Sequence, residues 1–260
     1  MAKISACIIS YNEEKNIEDC LKSLQSVTDE IIVVDSLSTD RTKEIAAKYT
    51  DKIYDQEFLG HVEQKNLAVS KASHDWILSL DCDERLTSEL VSSILKIKDN
   101  LEQADAYRMA RKTFYVYRWL KHCWYPDFKV RLFNKNTAKW GGINPHDRIE
   151  VNGGNIVTLD GDILHYSFNS ISQHIRTLDY FTEIGANEII KRGRPVSVLT
   201  PFTHSFWTFF RTLVIKRGFQ DGFAGFVVST LSGMHAFVKY SKVIMKRRMA
   251  NRHLDKRDQI

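Results

Sequence analysis

The chain has 260 residues, 43% hydrophobic and 27% charged, with a formal net charge of +5. This length buries a sizeable core and this balance excludes a disordered chain, while no internal repeat or low-complexity tract points to a solenoid or fibre. Cys7, Cys20, Cys82 and Cys123 have neither C-x-x-C spacing nor the density of a disulfide scaffold, and MAKISACIIS lacks a charged leader with a cleavable apolar core, so a reducing cytoplasm is expected.

The first hundred residues alternate strand and helix periods. ISACIIS (4–10) and EIIVVDS (30–36) are β-rich apolar runs, followed by the weaker DKIYDQ (51–56) and by WILSLD (76–81); each has the length of a buried parallel strand. Asn12 is expected to cap a first helix, with Glu13 and Glu14 in its opening turn and Ile17, Cys20, Leu21 and Leu24 on one face. Ser38, Thr39 and Asp40 offer a second cap before Ile45, Ala46 and Tyr49, and Thr87 a third before Leu90, Ile94 and Ile97. This βαβα order predicts an α/β fold with a mainly parallel central sheet flanked by helices.

After residue 100, aromatic and β-branched runs at 107–119 and 129–135 alternate with turn signals at Gly141-Gly142 and Gly153-Gly154, as expected of strands completing the sheet. Helical periodicity returns from about Ser170, interrupted at Pro195 and Pro201. The expected division is a catalytic domain over 1–170, in halves 1–100 and 101–170, and a C-terminal helical, amphipathic region over 171–260. Within that region the charge-free run 222–238 is too short and too polar for a spanning helix. It packs or lies at an interface, with the basic residues between Lys239 and Arg257 touching anionic headgroups, or it covers the catalytic domain with a solvated basic end.

In parallel sheets ligands bind beyond the carboxyl ends of the strands. Those ends carry Ser10-Tyr11-Asn12-Glu13, Asp35-Ser36 and Asp81-Cys82-Asp83, so polar groups converge on one rim. Neither G-x-G-x-x-G nor the P-loop pattern occurs. Two acids so close repel in a poorly solvated place and call for a positive charge between them. A divalent cation would meet that need and hold a diphosphate, using one or two carboxylates plus phosphate oxygens and water; a solvated loop is the plain alternative. Cys82 between them is read as a small packed residue.

With IISYNEEKNIEDCLKSL, IIVVDSLSTDRTKEIA and QKNLAVSKASHDWILSLDCDE in order, the chain resembles the inverting family 2 glycosyltransferases of the GT-A fold. It departs from that family's V-V-D-D-G-S-T-D at Ser36 and Leu37. YPDFKVRLFNK, GGINPHDRIEVNGG, ILHYSF and KRGFQDGFAGF extend the resemblance to the bacterial branch that adds glucose to the lipopolysaccharide or lipooligosaccharide inner core. Where that branch carries V-H-E, this chain has Pro145-His146-Asp147.

The resemblance implies a UDP-sugar donor, a Mn2+ or Mg2+ cofactor, a lipid-linked glycan acceptor, peripheral contact with the cytoplasmic face of an anionic inner membrane, and no nucleic-acid partner. It places the base near Ser10, Tyr11 and Glu13, with Asp35 accepting from uracil or ribose and Lys65 and Asn66 near the diphosphate or sugar. Asp83 is the candidate metal ligand, with Asp81 reaching ribose or metal and His165 a third ligand. Inversion needs one base for the acceptor hydroxyl, and Asp147 is the candidate, with His146 its rival or orienter. Arg131, Arg217 and Asp221 are read as holding an anionic acceptor or ordering the closing segment. The alternatives are a sugar-nucleotide nucleotidyltransferase, disfavoured by Glu13 and Glu14 where a triphosphate would sit, and a non-catalytic membrane or glycan-binding protein.

Overall fold

The computed structural model describes residues 2–143 and 146–257, except the side chains of 143, 146 and 251–257. The chain divides into two compact units, Met1–Thr113 with Pro126–Ser167, and Phe114–Tyr125 with Phe168–Ile260.

The first unit begins β1 (Ile4–Ser10), α1 (Ile17–Leu24), β2 (Glu30–Asp35), α2 (Thr42–Ala46), β3 (Ile53–Asp55), α3 (His61–Ser70) and β4 (Trp76–Asp81). These strands pair in parallel in the order β3-β2-β1-β4. All of β2 and nearly all of β1 are buried, because helices cover both faces; that is why their sequences read as unbroken apolar runs rather than alternating ones. α1 buries Ile17, Cys20, Leu21 and Leu24, the predicted stripe. The register sets Ser10 against Asp35 and Ile9 against Asp81, so three polar strand ends share one rim.

The chain then turns back at once into β5 (Glu84–Leu86) and α4 (Ser88–Ile97), whose cap is Thr87, its hydroxyl accepting from Leu90 N at 3.3 Å. Next come β6 (Ala106–Tyr115), β7 (Arg118–Trp119), β8 (Asp127–Asn134), β9 (Ala138–Ile143), β10 (His146–Val151) and β11 (Ile156–Phe168). β8 runs antiparallel to β4, and the sheet continues β8-β6-β11-β5, with β7 on β6, so it is parallel only across its first four strands. β9 and β10 form a separate antiparallel hairpin. Two local expectations are corrected here. Asn12 caps no helix: it has φ +53°, and α1 begins five residues later. Gly141 and Gly142 lie inside β9, whereas Gly153 and Gly154, both at positive φ, do make the turn between β10 and β11.

Glu30 opens β2 almost without solvent contact. Its carboxylate takes the Ser5 hydroxyl, Ser73 N at 2.9 Å, Ser73 Oγ at 2.8 Å and the Lys52 ammonium. Burial alone would raise its pKa, but Lys52, Ser5 and Ser73 outweigh it and hold the group at about 2, against an ordinary 4.5. The folded state therefore binds this proton less tightly than the unfolded chain does. The stabilisation is complete above about pH 4.5 and lost as the pH falls toward 2, worth roughly 3 kcal/mol. Chemical denaturation of Glu30→Gln should show lower stability than the parent at pH 7 and a gap that closes over that acid window; a constant gap would rule the ion pair out as the cause.

The second unit carries α5 (Ile171–Lys191), capped by Ser170 accepting from Gln173 N at 3.1 Å, and α6 (Thr200–Phe210), where Pro201 sits in the first turn instead of breaking the helix. A π-helical turn at Arg211–Ile215 leads to α7 (Gly222–Arg257), 36 residues long. Tyr115, Leu120 and Cys123 pack on Ala224 and Val228. Buried Asp221 accepts backbone N–H from Lys121, His122 and Cys123 at 2.8, 3.0 and 3.0 Å, which fixes the 114–125 loop. A Cβ on Gly225 would lie 1.9 Å from Gly218 O, so α7 enters the unit only with glycine there. KRGFQDGFAGF is thereby accounted for by packing: Asp221 orders the closing segment, while Arg217, at φ +54°, is exposed. Part of the basic run is tied down, since Lys242 reaches Asp179 at 2.7 Å and Lys246 pairs with Glu183, both on α5. Among the described residues no helix is long and apolar enough to cross a membrane.

Candidate active site

The rim is built first from two loops that hold each other. Asn12 N donates to Ser38 Oγ at 2.8 Å, Thr39 N to Asn12 Oδ1 at 2.9 Å, Glu13 N to Thr42 Oγ1 at 2.7 Å and Glu14 N to Asp40 Oδ2 at 3.1 Å. Asp40 also accepts from Thr42 N at 3.0 Å, although the residue at the cap position of α2 is Arg41, which makes no side-chain capping bond. Asp35 is fully buried and accepts Ser10 Oγ, Ser38 Oγ and Ser38 N, each at 2.7 Å. Asp35 and Ser10 thus fasten the loop, and neither offers exposed surface to a uracil or ribose in this conformation. Tyr11 is exposed at the loop tip.

Leu37 explains the departure from the glycine-bearing motif. Its φ is +61° and its side chain is exposed, so leucine adopts the left-handed backbone that the glycine of the family pattern accepts without strain. Leu37→Gly should therefore leave the melting temperature unchanged or raise it, by up to about 1 kcal/mol of stability, unlike an ordinary exposed leucine-to-glycine change. A loss above about 1 kcal/mol would show that the leucine side chain contributes more than its backbone costs.

The two acids of D-C-D separate in role. Asp81 places Oδ1 2.8 Å from Lys65 Nζ and Oδ2 2.9 Å from Arg131 Nη2. Burial alone would raise its carboxyl pKa, but Lys65 and Arg131 hold it well below the usual carboxylate range. Positive charge does meet this acid, and it comes from two side chains. Both of its oxygens are thus engaged by side-chain cations. Behind it, fully buried Glu84 takes Arg131 at 2.8 Å and Arg111 at 3.1 Å and accepts Asp81 N at 3.1 Å; Arg111 also binds Asp127 at 2.7 Å. Burial pushes the Glu84 pKa up, but Arg131 and Arg111 bring it below its ordinary value.

Asp83 is partly exposed on the turn, with Oδ2 3.2 Å from His165 Nε2. The β5–β11 ladder makes this pair: His165 stands opposite Glu84, and Tyr166 N donates to the Asp83 carbonyl at 2.9 Å. Ser167 Oγ lies 2.7 Å from His165 Nδ1. Glu13 is close enough to sense the acids. Its carboxyl pKa is raised by burial, lowered in part by the Asn16 hydrogen bond at 2.8 Å, and raised again by Asp83, Asp40 and Asp81.

On the opposite side, Lys65 bridges Asp81 and Asp147, the second contact being 2.6 Å, while lying 4.2 Å from the Trp140 ring centroid. The β9–β10 hairpin supplies Asp147 and Trp140 to that ammonium, while Asp81 comes from β4, and Asn66 clamps the hairpin to α3: its amide donates to Trp140 O at 2.9 Å and accepts from Trp140 N at 3.1 Å. Asn66 is thus occupied by the hairpin, not by a ligand. Asp147 sits in β10 opposite Gly142. Pro145 and the His146 side chain lie outside the described residues.

Sequence reasoning missed Glu84, Arg111 and Trp140. Glu84 follows the acid pair directly and carries the one legible signal, a third carboxylate in the run DCDE.

Among the described residues no group of three or more His, Cys, Asp or Glu fits a metal ion. The Asp83–His165 pair nevertheless offers a carboxylate oxygen and an imidazole nitrogen at the rim. These two donors suit a small divalent cation such as Mn2+ whose other positions are taken by phosphate oxygens and water.

The family model described as Glycosyl transferase family 2 matches residues 5–164. An uncharacterized glycosyltransferase of Rickettsia typhi is 34% identical over 254 residues, covering 94% of this chain and 87% of its own length. The lipopolysaccharide core biosynthesis glycosyltransferase LpsC of Rhizobium meliloti is 26% identical over 254 residues, covering 94% of this chain and 92% of its own. Among solved structures, S. aureus TarS in complex with UDP is similar over 95% of this chain and 92% of that chain, with 18% identity and a TM-score of 0.47.

Proposed function

Because this chain belongs to glycosyl transferase family 2, we propose that it is an inverting hexosyltransferase moving glucose from UDP-glucose to a sugar of the lipopolysaccharide core. That it is a glycosyltransferase of the GT-A fold follows from the family; donor, acceptor and stereochemistry are our reading. The relationship to LpsC favours the acceptor class. We further infer a cytoplasmic protein held peripherally on the inner membrane, where a lipid-linked acceptor is found.

The observation that carries the reading is the rim at the end of β4, where Asp83 and His165 face one way and Lys65 pairs with both Asp81 and Asp147. In an inverting transfer the acceptor oxygen forms its bond to the anomeric carbon as the bond to the diphosphate breaks, and that electron pair leaves on UDP. Asp147 takes the acceptor hydroxyl's proton. Lys65 keeps Asp147 charge-compensated and oriented and lies where a diphosphate can compete for the same ammonium, so donor binding and base positioning share one cation. Arg131, fixed by Glu84, holds Asp81 and keeps this geometry stiff. Asp83 and His165 would hold a divalent cation, which when bound would supply Lewis-acid stabilisation for a departing diphosphate. No observation favours the nucleotidyl-transfer or binding-only alternatives.

The test is UDP release from UDP-glucose with lipopolysaccharide core oligosaccharide, in manganese and after chelation. Transfer that stops with chelator and returns with added metal supports the reading. Chelator-insensitive transfer removes the cation, and preference for another UDP-hexose reassigns the donor.

A further inference from the structure

We propose that α6, the π-helical turn after it and the first turns of α7 form a surface that inserts into the interfacial layer of an anionic phospholipid bilayer. This rests on the peripheral-membrane reading above and moves the point of contact from the basic tail to an aromatic patch.

Scattered exposed apolar residues are ordinary, but a contiguous patch of large ones is not. Phe206 and Phe223 are 70% and 71% exposed. The rings form two runs, Phe206 standing 6.3 Å from Phe210 and Phe210 6.3 Å from Trp207, and Phe209 6.1 Å from Phe226 and Phe226 6.4 Å from Phe223; Phe206 and Phe209 line one groove, which joins the runs. The cause is in the sequence. TPFTHSFWTFF has no Lys, Arg, Asp or Glu and places aromatic rings on several faces of α6, so packing one face against α7 leaves others outward. Exposed Val214 and Ile215 extend the patch through the π-helical turn. Beside it, an apolar groove of about 350 Å³ runs between α6 and α7, lined by Phe202, Phe206, Phe209 and Phe237 with Ser205 and Thr230 at its edges; lipid methylenes fit such a lining.

Charge selects the occupant. From Arg192 to Ala250 the sequence holds ten Lys and Arg and a single acid, Asp221, which is buried beneath backbone N–H groups. Arg211, Lys216 and Arg217 are exposed in the segment that carries the patch. A second copy of this chain would bring the same cations against them, whereas an anionic lipid surface attracts them while the rings enter the headgroup boundary. With no helix among the described residues long and apolar enough to cross, the contact is one-sided, the arrangement of an interfacial anchor. Lys242 and Lys246 farther along α7 are engaged by α5, which leaves the tail a smaller share of the attraction.

The experiment is co-sedimentation of the full chain with vesicles of phosphatidylcholine alone or mixed with phosphatidylglycerol, together with quenching of tryptophan fluorescence by brominated lipid. Binding to the mixed vesicles is expected, with quenching that largely disappears in Trp207→Phe. Phe206→Ser/Phe223→Ser should weaken binding at least about tenfold with an unchanged melting temperature, and removal of residues 251–260 by less than about threefold. If the double variant binds like the parent while tail removal abolishes binding, this inference falls and the peripheral-membrane reading stands. If the parent binds no anionic vesicle, both fall. If Trp207→Phe leaves quenching intact, or the double variant only dissociates a dimer, the patch is not the inserted surface.

Discussion

Asp83→Ala is expected to lower the transfer rate by at least about 1,000-fold while leaving the melting temperature within about 2 °C of the parent. The asymmetry follows from where the side chain stands. Asp83 is partly exposed and, among the described residues, its carboxylate pairs with His165, while the bond that holds the turn, Tyr166 N to the Asp83 carbonyl, is backbone and survives the substitution. Asp81→Ala is the contrast. It strips a carboxylate from between Lys65 and Arg131, both buried, and leaving buried cations undercompensated costs about 3 kcal/mol. Two acids one residue apart should thus fail differently, one in chemistry and the other in chemistry and stability together. Steady-state kinetics beside thermal melts of the two variants decide it. Activity within about tenfold of the parent in Asp83→Ala would end the assignment of Asp83 to the donor's diphosphate.

Lys65→Met is expected to reduce kcat/KM for the nucleotide sugar by about 1,000- to 10,000-fold, through a higher KM and a lower kcat at once. The ammonium neutralises two carboxylates contributed by different parts of the fold, Asp81 from β4 and Asp147 from the β9–β10 hairpin. Removing it withdraws a cation from the diphosphate and releases the carboxylate that takes the proton. Asp147→Asn separates these effects: its kcat should fall about 1,000-fold with KM for the donor changed less than about threefold. If Asp147→Asn keeps its kcat, the base lies elsewhere. If Lys65→Met raises KM alone, the Lys65–Asp147 contact has no part in the chemical step.

The parallel half of the fold was legible because β1, β2 and β4 are buried on two faces and α1 on one, which leaves clear periods in the sequence, whereas the part-exposed edge strand β3 reads more weakly. The rim followed from that order, since parallel strands bring Ser10, Asp35 and Asp81 to one end whatever comes later. What was not legible depends on pairing across distance. Glu84 reads as one more surface acid until Arg111 and Arg131, from strands far along the chain, are seen to close on it. Asn12 reads as a cap because Asn, Glu and Glu before an apolar stripe is a capping pattern; its side-chain oxygen instead accepts from Thr39 N of the neighbouring loop. Gly141 and Gly142 read as a turn, yet in β9 the small residues accommodate Glu150, whose carboxylate would lie 2.4 Å from a Cβ on Gly141. Asp147 was singled out by family likeness, and its pairing with Lys65 emerged only from the hairpin's position over α3.

The ion-pair network behind the rim has a kinetic corollary. Asp81, Glu84, Asp127 and Asp147 set four carboxylates against the four cations Lys65, Arg111, Lys129 and Arg131, so Asp83 and Glu13 leave the negative side in excess. A multiply charged anion drifting in from solution is therefore repelled before it is held, the reverse of electrostatic funnelling. Added monovalent salt, by shortening the reach of that field, speeds the encounter of a metal-free nucleotide sugar with this surface, while a nucleotide sugar that arrives already bound to a divalent ion, with most of its charge cancelled, is nearly indifferent to ionic strength.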